Sequence, residues 1–125
     1  MPDYPEFLIT LSHRKDSSEK HVSLAFTLGL KSLEKGHKTA IILFMDGVHV
    51  GRKGYVDSID IGEPFLPVKE MLDVYLEHGG QLLICTSCWK HDHLTDADRL
   101  PGTGMISADQ VIDFMLNAKS TLQLN

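Results

Sequence analysis

The chain has 125 residues, 42% hydrophobic and 23% charged, and its 12 Lys and Arg against 17 Asp and Glu give a net charge of −5. This is the composition of one folded domain over residues 1–125 with a core of its own. The acidic balance argues against nucleic acid as a partner, since phosphate binding needs a basic face.

Met1-Pro2-Asp3-Tyr4-Pro5 lacks the basic flank and apolar run of a signal peptide. The longest apolar run, Ala40 to Met45, is far too short to cross a bilayer, so a cytoplasmic protein with no membrane partner is expected. Phe7-Leu8-Ile9-Thr10-Leu11 is apolar and partly β-branched, which suits a first buried strand. Ser12-His13 leaves the sheet, and Asp16-Ser17-Ser18-Glu19 reads as a capping arrangement, with Asp16 as the cap of a helix that ends at Gly36. Val22, Phe26, Leu30 and Leu33 form one stripe on that helix, with Leu24 and Leu28 on another flank. A helix apolar on two sides is buried on two sides, by its own core or by a second subunit.

The unbroken apolar run within Lys38 to Met45 predicts a second strand, parallel and covered on both faces. It runs into Asp46-Gly47-Val48. From there to Phe65 no periodicity is visible, which leaves a lid, a plain excursion or an oligomer contact open. Val68, Met71, Leu72, Tyr75 and Leu76 fall on one helical face, ended by Gly79-Gly80. A strand from Gln81 to Ile84 follows and delivers Cys85-Thr86-Ser87-Cys88, with a helical turn through Trp89 and Lys90. Beyond a turn-rich stretch, Met105-Ile106 predicts a short strand, Ser107-Ala108-Asp109-Gln110 a capping box and helix, and Thr121 to Leu124 an edge strand.

Strands alternating with helices in this way make an α/β fold with a parallel sheet. Reactive groups in such folds gather beyond the carboxyl ends of the strands. Three exits meet there: Ser12 and His13, Asp46 and Gly47, and Cys85 to Cys88. Cys85 and Cys88 are thus the candidate catalytic residues, and His13, Asp46 and Gly47 the candidate substrate-binding ones. Helix N–H groups, Lys90, His91, His93 and His13 would favour a thiolate at Cys85.

Four readings of the pair remain open on the residues alone. Cysteine is often a small buried apolar side chain. A zinc site would draw Cys85, Cys88, His91 and His93 from one local turn, whereas structural zinc takes its pairs from two elements. Thiol–disulfide exchange of the thioredoxin type puts the pair before a long helix, for which Lys90-His91-Asp92-His93 leaves little room. Persulfide chemistry needs one accessible thiol and no cofactor, with a second cysteine to assist or resolve. A binding or regulatory module using the same cleft, oligomeric and non-enzymatic, is the alternative outside thiol chemistry.

The ordered set Ser12-His13, Glu34-Lys35-Gly36-His37, Met45-Asp46-Gly47-Val48, Glu77-His78-Gly79-Gly80 and Cys85-Thr86-Ser87-Cys88 resembles the DsrE/DsrF-like family of small sulfur-relay proteins. The resemblance implies a three-layer α/β/α domain of flavodoxin or Rossmann type with a mainly parallel sheet of about five strands. It also implies homo-oligomers such as trimers or hexamers, sulfur donor and acceptor proteins as partners, and no metal or cofactor. By position, Cys85 matches the cysteine on which the family's sulfurtransferase-like carriers hold a persulfide. Where those carriers continue with small residues, a basic pair and glycine, this chain has Trp89-Lys90-His91-Asp92-His93.

Overall fold

A computed structural model describes residues 3–125. Five strands, β1 (Phe7–Leu11), β2 (Thr39–Leu43), β3 (Gln81–Cys85), β4 (Gly104–Ile106) and β5 (Ser120–Leu124), form one sheet. Its order is β4-β3-β2-β1-β5 and every pairing is parallel. The helices are α1 (Lys15–Glu34), α2 (Val68–Glu77), α3 (Thr86–His91) and α4 (Ala108–Asn117).

All five residues of β2 are buried, as the unbroken run requires of a central strand. Alternation then divides the core in two. Ile9, Leu11, Ile41 and Leu43 pack with Val22 and Phe26 of α1 and Met71, Leu72 and Tyr75 of α2. Leu8, Ala40 and Ile42 face the other way, against Phe114 of α4. The topology explains this division. Steps from β1 to β2 to β3 run one way across the sheet, so right-handed crossovers put α1 and α2 on one face. The return from β4 to β5 runs the opposite way and carries α4 to the other face.

One buried polar anchor fixes the lower end of this stack. The Tyr75 hydroxyl donates to the carbonyl oxygens of Gln81, at 2.7 Å, and Thr39, at 3.3 Å, so it ties α2 to the starts of β2 and β3. Its ring lies against Gly80, where an added Cβ would stand 2.4 Å from the ring. Gly80 is there because nothing larger fits.

Two expectations change, and the reading left open after Gly47 narrows. Asp16 does not cap α1: it lies exposed, 3.6 Å from Arg14. The backbone breaks at Ser18 (φ −168°, ψ 102°), and Ser18 Oγ accepts from the His21 N–H at 3.2 Å. Ser18 is therefore the cap of the long helical segment, three residues before its partner as the rule demands. The second capping box does form, with Ser107 Oγ accepting from Gln110 N–H and Gln110 Oε1 from Ser107 N–H.

The second strand is shorter than its apolar run, because Phe44 turns out of the sheet and Met45–Gly51 coils into a 3-10 segment. The stretch after Gly47 is no free lid. Val48, Val50, Val56 and Ile59 are all 2% exposed or less, and Lys15 Nζ sits 4.5 Å above the Tyr55 ring and donates to its carbonyl. These four go into the core without a regular period, because a 3-10 segment and its turns have none of the repeats a strand or α-helix imposes.

Candidate functional site

The carboxyl ends of β1, β2 and β3 open onto a cleft of about 680 Å³. Its walls are Ser12, His13 and Ser17 from the β1–α1 junction, Met45 and Asp46 after β2, and Ser87, Cys88, His91 and Asp92 from α3 and its end. A second hollow of about 520 Å³, beside Phe7, Leu28 and Lys119, lies at the opposite end of the strands and holds no thiol.

Close approach of backbone shapes the middle of the cleft. Phe44 N–H donates to the Leu11 carbonyl at 3.0 Å, and Gly47 packs so near that an added Cβ would lie 2.1 Å from that oxygen. Met45 is forced into the left-handed region (φ 51°) and stands 67% exposed. This is an uncommon conformation for a side chain-bearing residue, of the kind held in place at sites of function. The Met45 N–H donates to Cys88 Sγ at 3.3 Å.

The cysteines are neighbours for a local reason. Cys85 is the N-cap of α3 and Cys88 its third residue, the two positions whose side chains face one another across a helix start. Both are free and half-buried. Cys88 is on the cleft wall; Cys85, closing β3 beside Ile106 of β4, is not. The Cys85 sulfur makes no cap bond to the helix N–H groups, so the amide that reaches a thiol is Met45's, and the thiol is Cys88. Burial, then the neighbouring Cys85 thiol, push Cys88 above the usual thiol value, against the pull of that amide.

The remaining expected residues divide. His13 lines the cleft with Nδ1 3.0 Å from Ser17 Oγ and its ring tilted 37° to that of His21, centroids 4.1 Å apart. Asp46 is on the wall, whereas Gly47 is buried behind it and shapes the turn. His91 is at the wall, 88% exposed; Lys90 and His93 are not part of it. Among the described residues no group of three or more His, Cys, Asp or Glu is arranged to hold a metal ion.

Sequence reasoning missed His49 and Asp92. His49 is 9% exposed and its Nε2 lies 2.8 Å from Asp92 Oδ2, while Arg52 Nη1 approaches its Nδ1 at 3.3 Å. Arginine only donates, so Nδ1 accepts, and the ring proton sits on Nε2 and points at the carboxylate. Hydrogen bonds from His49 and then His91 hold the Asp92 carboxyl below the usual range. A histidine between valines, Val48-His49-Val50, was the available sign of burial; nothing local pointed to Asp92.

The sequence model of the DsrE/DsrF-like family matches residues 6–124, almost the whole chain. Among solved structures, the chain is similar to the ychN protein from E. coli, at 17% identity and TM-score 0.73 over 94% of this chain and 97% of that one. It is also similar to MTH1491, a protein of unknown function from Methanobacterium thermoautotrophicum, at 14% identity and TM-score 0.70 over 97% and 99%. These likenesses extend to the fold alone. No curated protein matches the sequence. Among the described residues no helix is long and apolar enough to cross a membrane. With its five-stranded parallel sheet, its thiol pair at the end of β3 and a family match from residue 6 to residue 124, this chain belongs to the DsrE/DsrF-like family.

Proposed function

We propose that the protein is a sulfur-relay protein that carries sulfane sulfur as a persulfide on Cys85, with Cys88 as its protonated partner. The observation that carries this reading is the thiol pair itself: two free cysteines at the N-cap and third positions of α3, beside the cleft where three strand ends converge. In this reading Cys88, pushed up by burial and then by its neighbour, is assigned the proton. Cys85 is then the nucleophile.

In the loading step the Cys85 thiolate attacks the outer sulfur of a donor persulfide, R–S–SH. The Cys85 Sγ–S bond forms, the donor S–S bond breaks, and its electron pair leaves on the donor sulfur as R–S⁻. Unloading is the same exchange run with an acceptor thiolate, which takes the outer sulfur and releases Cys85. Neither step needs an oxidant. His13 and Asp46 on the cleft wall are the proposed substrate-binding residues, and Gly47, buried behind Asp46, sets the turn that presents it.

Intact-mass analysis after incubation with a persulfide donor tests the assignment. One added sulfur is expected on the wild type, lost in Cys85→Ser and largely kept in Cys88→Ser. A wild-type protein that stays unmodified overturns the relay reading, and sulfur kept in Cys85→Ser but lost in Cys88→Ser moves the carrier to the cleft wall.

The closeness of the pair favours one second reading, thiol–disulfide exchange. Its signature is a Cys85–Cys88 disulfide formed reversibly with a redox buffer at the potential of a catalytic pair rather than a structural one. Self-association belongs to the same proposal, supported by Ile112 and Leu116 of α4, which stand 58% and 79% exposed. Light scattering should give three or six times the 14.0 kDa of one chain, and a monomer mass contradicts self-association.

A further inference from the structure

The 3-10 segment Met45–Gly51 touches α3 at two points. At its start, Met45 N–H donates to Cys88 Sγ at 3.3 Å. Near its end, His49 Nε2–H donates to Asp92 Oδ2 at 2.8 Å, and Asp92 N–H in turn bonds the Cys88 carbonyl at 3.2 Å. Arg52, whose own N–H bonds the His49 carbonyl at 3.1 Å, fixes the imidazole from the far side through Nδ1. His49 is the buried imidazole of the described residues, and all of its ring hydrogen-bonding capacity goes to these two partners.

We propose that Arg52, His49 and Asp92 are a positioning chain that locks α3 to the Met45–Gly51 turn and so keeps the Met45 amide aimed at Cys88 Sγ. Two features make the lock necessary. Met45 sits at φ 51°, a conformation unfavourable for a non-glycine residue, so the turn does not hold that amide in place unaided. α3 has six residues, too few to be stable without contacts along its length. Trp89, 3% exposed, anchors its middle, and the Asp92–His49 bond anchors its end.

The consequence for sulfur transfer rests on the relay reading: the chain would set how readily Cys88 gives up its proton beside the loaded Cys85. The titratable groups around Cys88 are Cys85 at the end of β3, His13 across the cleft, Asp46 from the turn after β2, and His91 and Asp92 beyond α3.

Site-resolved alkylation tests the chain without any sulfur donor. Reduced full-length protein is treated with iodoacetamide from about pH 6 to 10, a range spanning thiol ionisation, and the peptide holding both cysteines is fragmented to read Cys88 alone. His49→Leu should move the Cys88 profile up by ~0.5–1 pH unit, about 3- to 10-fold slower at a fixed pH below the midpoint, as a thiolate loses its amide donor. His49→Gln keeps an N–H for Asp92 and should return the profile toward wild type. Asp92→Ala should react at higher pH than Asp92→Asn: both lose the charge, and only alanine loses the acceptor.

A wild-type Cys88 profile in His49→Leu overturns the proposal. So do coincident profiles for Asp92→Ala and Asp92→Asn, a comparison that stands even where His49→Leu does not fold. Failure of the relay reading looks different: the wild type takes up no sulfur, whatever these profiles show.

Discussion

Gly47→Ala probes the junction on which the cleft depends. An alanine Cβ would stand 2.1 Å from the Leu11 carbonyl oxygen and 2.9 Å from its carbon, both backbone atoms of a central strand. A normal carbon–oxygen contact is a full ångström or so longer, and no rotamer relieves the overlap. Leu11 O is already fixed by the Phe44 N–H at 3.0 Å, so the turn must move rather than the strand. Overpacking that shifts backbone costs typically 1–3 kcal/mol, and weakening the Phe44 bond adds about 1, for roughly 2–4 kcal/mol in all. For a chain of this size that lowers Tm by roughly 10 °C. The displaced turn also carries Met45 away from Cys88, so the Cys88 alkylation profile should rise in pH. Thermal melting by circular dichroism, with alkylation run well below Tm, measures both. A Gly47→Ala protein melting within about 2 °C of wild type would refute the claim that this contact sets the turn, since that is well under 1 kcal/mol.

Gly80→Ala meets the Tyr75 ring at 2.4–2.6 Å and should cost about 2–4 kcal/mol through overpacking and strained hydroxyl bonds. Tyr75→Phe alone should cost about 1–2 kcal/mol, and a denaturation cycle of the two should show strong non-additivity, because both act on one ring. Asp92 makes a pH prediction with a definite sign. Its folded-state pKa is depressed below 3.8, so its contribution is present above that value and lost as pH falls through the lower folded value. Asp92→Asn should therefore be less stable than wild type near neutrality, with the difference vanishing in strong acid; a gap that persists there in urea melts contradicts the assignment.

How far the site could be read from the chain depends on the range of each interaction. The thiol pair was legible because its geometry is local: Cys85 and Cys88 sit at the cap and third positions of a helix that starts where an apolar strand ends. Ser12, His13 and Asp46 were placed by the parallel-sheet rule, which brings every strand exit to one edge. The first cap was misassigned because Asp16, Ser17 and Ser18 are all competent acceptors, and only the break at Ser18 chooses among them. His49 and Asp92 lie 43 residues apart and their bond leaves no periodic trace.

The amino-acid sequence by itself determined the parallel sheet and the buried face of α2, because burial on one or both sides writes a period into the side chains, whereas the buried row of α1 runs through Gly29 and Ser32 rather than Leu30 and Leu33. It also determined that thiols would stand at the β3 exit. Only the tertiary structure decided that Cys88 rather than Cys85 lines the cleft, that the Met45 amide meets its sulfur, and that Val48, Val50, Val56 and Ile59 of the unpatterned stretch enter the core. Those outcomes rest on contacts between segments distant in the chain, fixed by the close approach of Gly47 to the Leu11 backbone and of Gly51 to the Ile84 side chain.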